Sequence, residues 1–121
     1  MELVKQFPSL QVVGGTGDGV AGATVELGTG GVVDMGAPHF RAQVYECPCH
    51  TRGHVIYKVG KVLFTGDTLF SGGCGKFFEG NAAEMYKNLY DTIGTMAEDT
   101  IIFPGRQSTG SGGGARSCRN A

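Results

Sequence analysis

Three short stretches of this 121-residue chain hold residue types able to act on a substrate. The first, Pro48-Cys49-His50-Thr51-Arg52-Gly53-His54, follows an alternating segment, so its histidines fall on a loop at a strand end, a usual place for functional groups. Neutral imidazole is a good ligand for zinc and iron. The second, Phe64-Thr65-Gly66-Asp67-Thr68-Leu69-Phe70, sets one carboxylate at the end of an apolar strand. An acid in such company is costly unless it is paired, hydrogen-bonded or bound to a metal. The third, Gly73-Cys74-Gly75-Lys76-Phe77-Phe78-Glu79-Gly80, offers a cation for a substrate carboxylate on a loop whose glycines admit a ligand close to the backbone. Each stretch also has a plainer reading: a structural histidine pair, a turn-capping aspartate, a solvated lysine.

The elements that must position these residues are legible in patches. Phe40-Arg41-Ala42-Gln43-Val44-Tyr45-Glu46-Cys47 alternates with period two, as a half-buried strand does. Residues 54–59 and 61–65 read as a hairpin turning at Gly60. Asn81 and Glu84 have the spacing of a capping box. Met85, Leu89, Ile93 and Met96 continue from it at helical spacing, which predicts an amphipathic helix over 82–97. Thr100-Ile101-Ile102-Phe103 reads as a buried strand ended by Pro104. Upstream, residues 2–7 suggest a short helix stopped by Pro8, and residues 10–13 and 23–27 suggest short strands. Glycine makes up 22 residues, far above its usual share. Where it gathers, over 14–31 and 110–114, poor packing is expected because ordering glycine is entropically costly.

Composition narrows the class. Ten Lys and Arg nearly balance 11 Asp and Glu, and no basic run interleaves with aromatics, so a nucleic-acid partner is not expected. Apolar runs fall far short of the roughly 20 residues of a membrane span. Cys47, Cys49, Cys74 and Cys118 are too few and too uneven for a secreted disulfide framework, so a reducing, cytoplasmic setting is the expectation, or a mitochondrial one if a leader precedes Met1. One small domain over 1–105 with a disordered Gly/Ser/Arg-rich tail over 106–121 fits the length.

Taken together and in order, the three stretches resemble glyoxalase II, the hydroxyacylglutathione hydrolases, with the match running from about Glu2 to Gly105 and strongest from Tyr45 onward. The resemblance implies an α+β fold, part of the αββα sandwich of the metallo-β-lactamases. It implies hydrolysis of S-D-lactoylglutathione to glutathione and D-lactate, with two divalent metals, zinc and possibly iron or manganese, supplying a hydroxide near neutral pH. His50 is then a ligand to one metal and Asp67 bridges both. Lys76, with Phe77 and Phe78 beside it, faces the glutathione part of a small-molecule thiolester, and His54 is structural. A monomer is expected.

The chain also departs from the family. It contains no Thr-His-x-His-x-Asp-His segment, Arg106 stands where a histidine ligand belongs, and arginine has no lone pair to give a metal. Ser108 replaces a tyrosine, Phe78 stands where many members carry another, and the family's helical C-terminal domain has no counterpart. These departures lead us to expect a truncated piece that does not turn over substrate alone, is marginally stable, and leaves one apolar sheet face without its partner. Two other readings remain open: a persulfide dioxygenase binding one iron in the same fold, and a structural zinc module closed by Cys47, Cys49, His50 and His54.

Overall fold

A computed structural model describes residues 2–37 and 39–105. The expectations for the 106–121 tail, including those for Arg106, Ser108 and Cys118, lie outside the described residues. A short helix α1 (Glu2–Gln6) precedes two three-residue strands, β1 (Val13–Gly15) and β2 (Val25–Leu27), which pair in parallel. Next comes a five-stranded sheet, in the order β3 (Val32–Ala37), β4 (Phe40–Glu46), β5 (Val55–Val59), β6 (Val62–Gly66) and β7 (Ile101–Pro104). The first four strands form an antiparallel meander, whereas β7 runs parallel to β6. Parallel neighbours need a crossover, and the segment carrying Asp67, Lys76 and helix α2 (Ala82–Lys87) makes it.

The hairpin turn falls at Gly60, whose φ of +56° suits a residue without Cβ. On one face of the sheet Cys47, Ile56 and Leu63 are fully buried, with Tyr45, Ile93 and Met96 packed against them. The opposite face is covered near β4 and β5, where Val44 is buried and the Tyr57 hydroxyl donates to the Val13 carbonyl. Near β6 and β7 it is open: Phe64, Ile101 and Phe103 are 45%, 40% and 39% exposed. The buried β7 expected from its apolar run is therefore corrected to an edge strand exposed on alternate residues.

Other expectations are corrected as well. The helix over 82–97 is α-helical only to Lys87, then widens into a π turn (Asn88–Thr92) and tightens into a 3₁₀ turn (Ile93–Thr95). The widening starts at Asn88, whose side chain donates to the Pro48 carbonyl at 2.8 Å, and Gly94 weakens the last turn. Strand β3 has no clear mark in the sequence, since Gly36 interrupts its alternation. Residues 14–31 are not uniformly loose, because Gly14 and Gly15 are buried in β1.

Candidate metal centre

His50 and Asp67 come together at one edge of the sheet. They follow β4 and β6, which are not neighbours as expected: β5 lies between them. Because each adjacent pair is antiparallel, β4 and β6 run in the same direction and end on the same side. His50 Nε2 stands 3.4 Å from Asp67 Oδ2, with the two side chains 21% and 41% exposed. His50 Nδ1 lies 2.7 Å from the Lys76 carbonyl. A carbonyl can only accept, so Nδ1 carries the hydrogen of this contact, which leaves Nε2 as the ring nitrogen on the side of the carboxylate. A backbone acceptor behind the imidazole is the usual outer support of a metal-binding histidine.

The Lys76 loop is held against both residues by close backbone approach. Gly75 N–H donates to the Asp67 carbonyl at 2.7 Å, and a Cβ on Gly75 would sit 2.9 Å from Asp67 Cβ and 3.0 Å from His50 Nδ1. The Phe78 ring lies edge-on to His50 at 5.1 Å, and the Lys76 ammonium stands 5.0 Å from the centre of the same ring. Phe78 is 64% exposed and Phe77 37%, so both keep a free face toward solvent. The loop thus brings Phe78, with Lys76 beside it, to the side of the His50–Asp67 pair, while Phe77 is placed only as a partly exposed neighbour in the chain.

Contacts that sequence patterning does not single out, one of them from Asp18, hold the His50 loop in place. The Thr51 hydroxyl donates to Asp18 Oδ1 at 2.5 Å, and Glu79 Oε2 accepts from Arg52 N–H at 2.5 Å. The Arg52 guanidinium pairs with Glu84 at 3.1 Å. The predicted capping box is present, with Asn81 Oδ1 accepting from Glu84 N–H and Glu84 Oε2 from Asn81 N–H. Most of these contacts join residues far apart in sequence, which no local periodicity records.

The four-ligand zinc reading with Cys47, Cys49, His50 and His54 is corrected. Cys47 is fully buried in the apolar core with Ile56 and Leu63, where desolvation pushes its thiol pKa up to about 12. Cys49 is also buried, its pKa raised by desolvation first and by Glu84 next, and its thiol donates to the Asn81 carbonyl. Among the described residues no three His, Cys, Asp or Glu side chains converge as a ligand group. His50 and Asp67 fit one edge of a divalent-metal site, with an oriented nitrogen facing a carboxylate, but they are only two donors where three or four are usual.

A family model described as the metallo-beta-lactamase superfamily matches residues 25–106. The chain belongs to that superfamily. It is 40% identical over 115 residues to the cytoplasmic hydroxyacylglutathione hydrolase of Arabidopsis thaliana, covering 89% of this chain and 44% of the relative. It is 42% identical over 108 residues to the hydroxyacylglutathione hydrolase of Salmonella arizonae, covering 89% of this chain and 42% of the relative. Among solved structures, ETHE1 from Myxococcus xanthus superposes with a TM-score of 0.79 at 29% identity, over 91% of this chain and 48% of that one. The chain thus spans less than half the length of these relatives.

Proposed function

We infer that this chain carries part of the active centre of a glutathione thiolester hydrolase acting on S-D-lactoylglutathione, in the cytoplasm. One observation carries the reading: the carbonyl that orients His50 toward Asp67 belongs to Lys76, so the metal-facing pair and the cationic loop form one unit. The names of the similar relatives agree with it. His50 Nε2 and Asp67 would hold a divalent metal, zinc in the simplest case. Such an ion, when bound, polarises a carbonyl and makes hydroxide available near neutral pH. Lys76 offers its ammonium to a glutathione carboxylate, and the open faces of Phe77 and Phe78 border the thiolester. None of the helices among the described residues is long and apolar enough to cross a membrane.

Binding of S-D-lactoylglutathione to the isotope-labelled chain tests this reading. It should shift the amides of residues 75–79, and Lys76→Ala should weaken it roughly ten-fold, the loss of one charge-assisted contact of about 1.5 kcal/mol. Shifts confined to other regions, or none, refute it. The isolated chain should release no glutathione with added zinc, since two donors do not hold a pair of ions. Metal-dependent turnover by this chain alone would overturn that expectation. The persulfide dioxygenase reading has less support, because the similar relatives at 40–42% identity carry the hydrolase name, whereas the likeness to ETHE1 is at 29% identity. Purification with one iron per chain would favour it.

A further inference from the structure

Asparagine is an unexpected residue at position 88. It stands beside the apolar positions Met85 and Leu89 and is only 5% exposed. A buried amide costs free energy unless it is hydrogen-bonded, and asparagine is a poor helix former besides. Its side chain donates to the Pro48 carbonyl at 2.8 Å. A carbonyl can only accept, so the amide turns its NH₂ toward Pro48. At the same residue the helix widens from α to π, an irregularity frequent at functional sites.

Pro48 lies two residues before His50, so the histidine is held at two places. Its ring is held at Nδ1 by the Lys76 carbonyl, 2.7 Å away, and the main chain leading to it by Asn88. Two longer contacts assist: Glu79 N–H donates to the Cys49 carbonyl at 3.3 Å, and the Cys49 thiol to the Asn81 carbonyl at 3.4 Å. In both, the crossover contributes only a backbone group, which any residue there would bring. Asn88 contributes its side chain, so its identity matters. Asp67, Lys76 and Asn88 all belong to the crossover between β6 and β7. The segment that carries the carboxylate therefore grips the histidine opposite it from both ends.

We propose that Asn88 is a positioning residue: by fixing the Pro48 carbonyl it places His50 where Nδ1 meets Lys76 and Nε2 stands 3.4 Å from Asp67. The proposal deepens the reading of His50 and Asp67 as a metal-facing pair, and rests on it. Positioning has a signature that stability alone does not. Without the Asn88 bond the loop relaxes, His50 backs away from the Lys76 carbonyl, and the imidazole loses its reason to keep a hydrogen on Nδ1, because the tautomer follows the hydrogen bond that the ring makes.

The test compares the full histidine-labelled chain with Asn88→Leu, which keeps the shape and loses the donor, and with Ile56→Val, a small trimming of the core. Each is checked for folding by circular dichroism. Ring-nitrogen spectra at about pH 8.5, where an ordinary imidazole is uncharged, report which nitrogen of His50 holds the hydrogen. Asn88→Leu should move the His50 ratio roughly five-fold from Nδ1–H toward Nε2–H, the worth of one neutral hydrogen bond. Ile56→Val should leave the ratio where it is. An unchanged ratio in folded Asn88→Leu, or an equal change in Ile56→Val, overturns the proposal and leaves the functional reading intact. Should Asn88→Leu fail to fold, Asn88→Ala takes its place with the same expectation; if neither folds, Asn88 serves the fold alone and the proposal is overturned. S-D-lactoylglutathione titrated into the same samples tests the functional reading separately: no binding to the unsubstituted chain refutes that reading, and the ratios still decide whether Asn88 aims His50.

Discussion

The β4–β6 meander and the glycine-rich segment before it are held by opposite means. In the meander side chains do the holding: Ile56, Leu63 and Cys47 interlock on one face, and their alternation is written in the sequence. In the segment over 14–31 the backbone does it. A Cβ on Gly15 would fall on the Gly53 carbonyl oxygen and within 2.9 Å of Val55 Cγ1, so the two chains meet there because the glycine has no side chain. Asp18, a few residues on, accepts from Thr51 in the His50 loop. A stretch that reads as loose by composition thus buttresses the loop that carries the chemistry.

Substitutions sharpen that contrast. The largest effect is expected at Leu63, fully buried in the meander core: Leu63→Ala should lower stability by about 3–4 kcal/mol in urea unfolding, within the range for buried leucines. A loss under about 1 kcal/mol would mean that this core is not close-packed. Gly15→Ala comes next, at about 1–3 kcal/mol for an intrusion into packed backbone. If it is neutral, the glycine segment does not seat on the His50 loop and the comparison collapses.

A third effect comes from protons. Burial keeps the Cys47 thiol protonated up to about 12, whereas in the unfolded chain it ionises near the ordinary thiol value of about 8.5. Between those values the folded state holds a proton that the unfolded state has lost, so stability falls as pH rises through the window and is insensitive to Cys47 below it. Denaturation at pH 8 and at about pH 10.5, either side of the unfolded thiol's titration, should show the loss, and Cys47→Ala should flatten it. The smallest expected effect is at the helix start: Asn81→Ala should cost about 1 kcal/mol, the worth of an N-cap. It should leave the Gly15 region untouched in hydrogen exchange.

The same contrast explains what the sequence discloses. The hairpin at Gly60, the capping box and the apolar positions of β4 to β6 are legible because each is a local pattern with a fixed period or spacing. His50, Asp67 and Lys76 stand out by motif, and their approach arises from strands that share a direction. Strand β3 is hidden by Gly36, and the change of helix type after Lys87 by an apolar spacing that a π turn nearly preserves. Asp18 and Asn88 give no signal, since their partners lie 33 and 40 residues away. Burial of glycine backbone has no compositional mark either.

Lys76 holds His50 through its main-chain oxygen and presents its side chain elsewhere. Two inheritances with different rules therefore run through one residue. Substituting the side chain can retune what docks on the loop while the disturbance at His50 stays small, because every amino acid brings the same carbonyl. Inserting or deleting a single residue between Asp67 and Lys76 does the reverse, moving the oxygen away from Nδ1 and freeing the imidazole to choose its other tautomer. Along this loop, length is the constrained quantity and identity the adjustable one, so a library built to alter substrate preference here should vary letters and never spacing.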